Sequence, residues 1–388
     1  MRTERFRGRV EGLLDSAPAP EGGTARSLIT VHHPGFYRRV LSQGSLGLGE
    51  AYMDGWWDCD RLDEFFYAIL RADLDRRVVP MGTVLAALAG RLYNVQRPSR
   101  AFHIGRTHYD IGNDLYEIML DREMIYSCAY WEEAGDLDAA QQAKLALTCR
   151  KLDLQPGMRV LDIGCGWGGM ARYMAAHCDV TVVGITVSRE QATLARERCR
   201  GLPVDIRLQD YRDLDGRFDR VVSIGMIEHV GFKNYRRFFS TVRGLMEPEG
   251  RFLLHTIGGN HSVTRTDRWI ARYIFPDSMI PSIAQLGRAM EDRFVMEDWH
   301  GFGPDYDSTL MAWHDNVAAE RKYLLAHYGE RFYRMWTYYL LACAGSFRAR
   351  KNQVWQILLS PEGIPGGYRA VRRPAQREMA DAPRQVHE

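Results

Sequence analysis

Two kinds of residue in this chain could do chemistry. The first is the glycine cluster of "VLDIGCGWGG", residues 160–169. An apolar run ends at Ile163, and Gly164, Gly166, Gly168 and Gly169 follow before "MARYMAAH". Glycines allow positive φ and let backbone approach a ligand closely. The carboxyl end of a strand at a chain crossover is where open α/β sheets bind ligands. A dinucleotide site needs G-x-G-x-x-G and an acidic residue closing the second strand; this chain has G-C-G-W-G-G. The second kind is a scatter of titratable groups. Cys128 sits among aromatics in "YSCAYW", Glu228 lies in "GMIEHVG", and His255 interrupts the apolar "FLLHTIG". Each also has an ordinary structural explanation: cysteine packs, and a glutamate past a strand caps a helix.

These groups need a scaffold, and the pattern from residue 139 supplies one. "AAQQAKLALTCRKLDL" reads as a helix. "RVLDIG", "VTVVGIT", "VDIRLQD", "FDRVVSIG" and "GRFLLHTIG" read as strands, joined by later strands in "RFVMEDWHGFG" and "VWQILLSP". Alternating elements imply a mostly parallel sheet covered on both faces. In the helix "SREQATLARERCR", Ser188 and Gln191 have capping-box spacing. Residues 36–75 carry helical periodicity, and Trp56 and Trp57 read as core.

Composition narrows the class. The 388 residues are 46% hydrophobic, with 51 basic and 49 acidic side chains. That balance gives no general footprint for nucleic acid. The seven cysteines form no C-x-x-C pair, so neither a metal site nor a disulfide framework is expected, and a reducing cytosol suits them. The basic N-terminus lacks the apolar segment of a signal peptide. The longest apolar run, Val78 to Gly90, is too short to span a bilayer.

The "LDIG" lead into the glycines resembles class I S-adenosylmethionine-dependent methyltransferases. It implies that Asp162, Gly164, Gly166, Trp167 and Gly168 hold the cofactor. The second strand ends "GIT" without the usual ribose-binding acid. Thr186 and Gln191 are placed to serve instead, although Gln191 could equally be only a helix cap. Gln209, Asp210 and Tyr211 in "LQDYRDL" are placed to cradle adenine with a backbone amide, a carboxylate and an aromatic face.

A wider set of motifs resembles the cyclopropane-fatty-acyl-phospholipid synthases from about residue 30 to about residue 360. These are "GSLGLGEAYMDGWWDCD", "HYDIGNDLYEIML", "YSCAYW", "GMIEHVG", "LLHTIGG", "YIFPDSMIPS", "VMEDWHGFGPDYDSTLMAW" and "ACAGSFRAR". The resemblance implies an α/β fold: a Rossmann-like seven-stranded sheet, its last strand antiparallel, with a small helical N-terminal domain. It implies methylene transfer from S-adenosylmethionine across the cis double bond of an unsaturated phospholipid acyl chain, through a carbocation. It also implies a bound bicarbonate ion as base, carried by Cys128, Glu228, His255, Tyr306 and the backbone of Ile257, with Glu228 orienting His255. Aromatic faces should line the reaction space, from Tyr126, Tyr130, Trp131, Trp269, Tyr273, Phe275, Trp299, Phe302 and Tyr306. Cys343 is a further catalytic candidate, but it reads as helix packing because an alkene attacks a sulfonium without a covalent enzyme intermediate. Arg348 and Arg350 beside it read as phosphate-facing. Glu228-His229 and His300 carry weaker signals than His255.

The expected organisation is a helical lipid-docking domain (1–90), a basic linker (91–106), the catalytic domain (107–365) and a tail (366–388). The apolar run with its flanking arginines suits interfacial contact, each charge near an anionic surface adding about 1 kcal/mol. The resemblance implies a cytoplasmic homodimer, peripheral at the inner membrane face. Three rivals are a methyltransferase making branched or methylene lipids, a nucleic-acid methyltransferase with a basic groove, and a lipid or cofactor binder without turnover.

Overall fold

A computed structural model describes residues 2–78 and 112–373. Most of the apolar run 78–90, the whole basic linker 91–106 and the tail beyond 373 lie outside the described residues.

Strands β1 (Thr30–Val31) and β2 (Trp57–Asp58) form a short antiparallel ribbon. The main sheet comprises β3 (Arg159–Ile163), β4 (Thr181–Thr186), β5 (Val204–Leu208), β6 (Phe218–Ile224), β7 (Met246–Gly259), β8 (Val295–Gly301) and β9 (Asn352–Ser360). Their order is β5-β4-β3-β6-β7-β9-β8. β3 pairs in parallel with both β4 and β6, so the chain runs outward one way and then crosses back. That crossover lies at the carboxyl ends of β3 and β6, beside the glycine loop. β9 is antiparallel and lies between β7 and β8. It is not a tight hairpin partner of β8. The connection runs through helices Pro304–Ala319, Arg321–Tyr328 and Glu330–Arg348.

β3 and β4 are buried along all but their first residue because both faces are covered. His255 and Ile257, two residues apart on β7, share one face. The glycine-containing segment "GSLGLGEAYMDGWWDCD" includes the helix Ser45–Met53. Its glycines permit close approach. A Cβ on Gly47 would lie 2.4 Å from the Arg39 carbonyl oxygen, and one on Gly49 would lie 2.4 Å from the Trp269 ring. Trp57 is fully buried, while Trp56 is half-buried with His33 stacked on its ring.

One apolar core runs from Val10 to Val354 and joins the N-terminal helices to Glu330–Arg348. Phe66 and Tyr52 pack on Tyr338, with ring centroids 5.1 and 5.6 Å apart. Arg348 pins the junction by ion pairs to Asp307 and to Asp63 on the helix Leu62–Arg71. A Cβ on Gly345 would meet the Asp63 carbonyl oxygen at 2.4 Å and the Tyr67 nitrogen at 2.9 Å. Those are backbone atoms and cannot swing aside. Gly345→Ala is therefore expected to destabilise by about 2 kcal/mol, the overpacking outweighing the roughly 1 kcal/mol that alanine gains in a helix interior. Denaturant unfolding of the full chain measures it; an unchanged midpoint would mean that the two helix backbones can separate freely.

Candidate active site

The glycine loop opens on a cavity of about 220 Å³. Gly164 (φ 84°) and Gly166 (φ 55°) form its floor in left-handed conformations. The amides of Gly164 and Cys165 both donate to the Ile185 carbonyl, which ties the loop to β4. Gly168 stands outside the lining. Its Cβ would press on Cys199 and Ala195, so its left-handed turn seats the helix Gly169–His177 against Arg189–Arg198. Trp167 is buried against Tyr116, and its indole N–H donates to Asn113 Oδ1 at 3.2 Å.

Asp162 is the unusual group in this cavity. It is 2% exposed, and Oδ2 has no hydrogen-bond partner. Burial alone pushes its pKa up to about 7. Thr186 and Gln191 form a pair: the threonine hydroxyl donates to Gln191 Oε1 at 2.9 Å. Ser188 Oγ caps the helix by accepting from the Gln191 amide. The reciprocal capping bond is absent, because Ser188 N donates to Thr186 Oγ1 instead. Gln191 thus has its backbone in the cap and its side chain at the cavity. Gln209 donates through its amide nitrogen to the Thr186 carbonyl and through Nε2 to the Asp213 carbonyl. Asp210 is occupied by Arg212, which donates from its backbone and guanidinium and itself lines the cavity. Tyr211 packs edge-on against Phe238.

A second, larger cavity of about 950 Å³ lies alongside, walled by both the N-terminal helices and the catalytic elements. Tyr126, Ser127, Gly225 and His229 line both cavities. The segment 121–131 forms this dividing strap. Asp121 accepts from the Glu123 and Ile125 amides; Thr309 accepts from the Ala129 amide; Asp305 accepts from the Trp131 amide.

Cys128, Glu228, His255, Ile257 and Tyr306 all line the larger cavity. Cys128 is completely buried, and its thiol donates to the Ala129 carbonyl. Burial raises its pKa well above the usual thiol range, so it stays protonated. Glu228 Oε1 accepts from the Ile257 amide at 2.8 Å, whereas Oε2 is buried without a partner. Desolvation raises the Glu228 pKa, partly opposed by that amide. Glu228 therefore orients β7 at Ile257 and not His255. The imidazole of His255 is held by Gln356, whose Nε2 donates to Nδ1 at 3.4 Å and also to Thr148 Oγ1. Burial, with Lys144 and Lys151 nearby, lowers the His255 pKa well below its usual value. The ring is neutral, and with Nδ1 accepting, Nε2 carries the proton. Tyr306 packs at a tilt on Phe347, ring centroids 4.7 Å apart.

Of the aromatics singled out, Tyr126, Trp269, Phe275 and Tyr306 line the larger cavity. Tyr130, Trp131, Tyr273, Trp299 and Phe302 do not; Trp299, for example, packs on Trp355. Cys343 also lines it, but burial pushes its pKa up to about 12, so no thiolate nucleophile is available. The phosphate-facing role read for Arg348 does not hold, because Asp307 and Asp63 take its guanidinium. Arg350 remains on the cavity wall and donates to Gln353 Oε1. His300 lies elsewhere, bonded to Lys151 Nζ at 2.9 Å. The sequence reading missed Ser127, Gln356, Arg212 and Lys144. His229, read there as a weak signal, gains a place at the junction, and burial lowers its pKa to about 4.

Among the described residues no helix is long and apolar enough to cross a membrane. A family model described as mycolic acid cyclopropane synthetase matches residues 96–357. The chain is 55% identical to the cyclopropane-fatty-acyl-phospholipid synthase of Escherichia coli K12, over 93% of this chain and 94% of that protein. It is 35% identical to cyclopropane mycolic acid synthase 2 of Mycobacterium bovis, over 66% of this chain and 93% of that one. Among solved structures, the mycolic acid cyclopropane synthase CmaA1 complexed with SAH and CTAB superposes with a TM-score of 0.64 at 33% identity, covering 67% of this chain and 98% of that one. The family model covering more than half of the chain and the 55% identity over nearly its whole length have one consequence: the chain belongs to the mycolic acid cyclopropane synthetase family.

Proposed function

We propose that this chain is a cyclopropane-fatty-acyl-phospholipid synthase that uses S-adenosylmethionine. One observation carries the reading: a glycine-floored cavity and a larger, mostly hydrophobic cavity meet at the wall of Tyr126, Ser127, Gly225 and His229. The first has the groups for a nucleoside sulfonium. Asp162 Oδ2 lacks a partner, Thr186 orients Gln191, and Tyr211 offers a ring face. The second is large enough for an acyl chain.

S-adenosylmethionine supplies an electrophilic methyl group. The π electrons of the cis alkene form the new C–C bond as the S–CH₃ bond breaks, leaving a carbocation on the acyl chain. A proton then leaves the added methyl, and its C–H electrons close the ring. The protein must keep water from that cation. The ring faces of Tyr126 and Phe275 wall the space, and neutral His229 adds no opposing charge.

The pocket fits a bicarbonate ion, which would supply the base for the departing proton. His255 Nε2–H and the Tyr306 hydroxyl would be its donors, Cys128 would bound it, and Glu228 Oε2 is the buried atom still lacking a partner. The Ile257 amide is occupied by Glu228 Oε1, so Ile257 contributes by fixing Glu228.

Peripheral contact with the inner membrane face follows from the same reading, since the substrate is bilayer lipid. Arg71, Arg76, Arg265, Arg268 and Arg350 among the cavity walls suit an anionic headgroup. A cytoplasmic homodimer rests on the family resemblance alone.

Purified protein, S-adenosylmethionine and unsaturated phospholipid vesicles test the reading, with released fatty-acid methyl esters followed by gas chromatography–mass spectrometry. Acyl chains should gain one methylene that takes up no hydrogen under mild hydrogenation. A product that does take up hydrogen would assign the chain to branched or methylene lipids instead.

A further inference from the structure

Behind the strap lies a lysine with no acid to pair with. The helix Leu137–Leu152 buries Gln141, Lys144, Thr148 and Lys151 almost completely among alanines, leucines and Cys149. The first three converge on the site. Gln141 Nε2 donates to the Ser127 carbonyl, Lys144 Nζ donates to Ser127 Oγ at 2.9 Å, and Thr148 holds the Gln356 that holds His255.

Lys144 is 0% exposed, and no carboxylate lies within 4.0 Å of it among the described residues. Asp121 acts on it through space, but both Asp121 oxygens accept from backbone amides. Cys128 also acts on it through space, and His255 feels both Lys144 and Lys151. An unpaired buried cation is costly unless something of opposite charge completes it. Meanwhile the pocket's own groups, Cys128 and His255, can offer an anion hydrogen bonds but no positive charge: the Cys128 thiol is protonated and His255 is neutral.

We propose that Lys144 is a positioning residue that, through Ser127, supplies the positive charge retaining an anion in the pocket of Cys128, His255 and Glu228. The proposal rests on the bicarbonate reading above. It assigns the missing charge to a side chain one layer behind the wall, attached to the strap residue next to Cys128. Burial lowers the Lys144 pKa to about 8, so the charge is present near neutrality and fades as pH rises through that value.

Titration calorimetry with sodium bicarbonate in CO₂-free buffer tests it on the full chain. Lys144→Met keeps the stem and removes the charge; it should weaken bicarbonate binding about tenfold or more, with S-adenosylmethionine affinity unchanged. Wild-type affinity for bicarbonate should fall as pH rises past about 8, and Lys144→Met should lose that step. Lys151, which titrates near 7, and Asp121, near 6, remain in the variant and cannot account for the loss. Ser127→Ala leaves the ammonium in place but cuts its link to the strap; it should weaken bicarbonate in the same direction by a smaller factor. A Lys144→Met protein with wild-type bicarbonate affinity and pH profile overturns the proposal and leaves the bicarbonate reading intact. Wild-type protein that takes up no bicarbonate overturns both. If Lys144→Met does not fold, Ser127→Ala decides, and unchanged affinity there is the overturning result.

Discussion

Replacing Glu228 with glutamine slows turnover by about 10²- to 10³-fold and leaves S-adenosylmethionine binding intact. The substitution preserves shape and one contact, since a glutamine carbonyl can still accept from the Ile257 amide as Glu228 Oε1 does at 2.8 Å. What it removes is the buried, unpartnered Oε2, the carboxyl oxygen that can take up and release a proton. Burial raises the Glu228 pKa, which favours its holding a proton. The cofactor cavity does not include Glu228, so the loss should appear in kcat, with the dissociation constant of S-adenosylmethionine unmoved. Stopped product formation and equilibrium binding separate the two. If turnover is unchanged, Glu228 only braces β7. If cofactor affinity falls in step, the strap and the Glu228 turn are one unit and the assignment of roles is wrong.

The part of this site that was legible in the sequence is the part carried by local pattern. Strand–glycine–helix order located the glycine-floored cavity, and the missing acid after β4 pointed to Thr186 and Gln191, which do pair. The helix cap and the cavity role of Gln191 proved compatible, because one uses its amide and the other its side chain. What could not be read depends on distant partners. Arg348 looks like a free cation beside a lipid site until Asp63, 285 positions away, folds onto it. Glu228 lies at the β6 end opposite both His255 and Ile257, and only the geometry of the short turn Ile227–His229 decides which it meets. No local pattern announces that the described N-terminal helices share a core with Glu330–Arg348. Lys144 did leave a trace, as a charge in the otherwise apolar "AKLAL". Its partner Ser127, 17 positions away, did not.

Asp162→Asn separates stability from binding in opposite directions. Asp162 has a folded pKa near 7, against about 3.9 for an unperturbed aspartate. Between those values the unfolded chain has lost the proton that the folded protein still holds. The contribution of Asp162 to stability is thus fully present below about pH 4 and is lost progressively as pH rises to about 7. Ionised and unpartnered, it costs the apo protein on the order of a few kcal/mol above neutrality. Asparagine never ionises, so the apo variant should be more stable than wild type above pH 7 and should lose less stability between pH 4 and pH 7. Binding runs the other way. A cationic or hydroxyl donor of S-adenosylmethionine that reaches Oδ2 forms a charge-assisted bond worth about 1.5–3 kcal/mol, so the variant should bind the cofactor about 10- to 100-fold more weakly. The same donor favours the ionised carboxylate, and wild-type protein near neutrality should therefore release a proton on binding. Calorimetry in buffers of different ionisation enthalpy reads that proton, and Asp162→Asn should abolish it. A variant with wild-type affinity and the same proton release would assign Asp162 to the sheet interior, and the cofactor contact would have to come from the glycine-loop backbone alone.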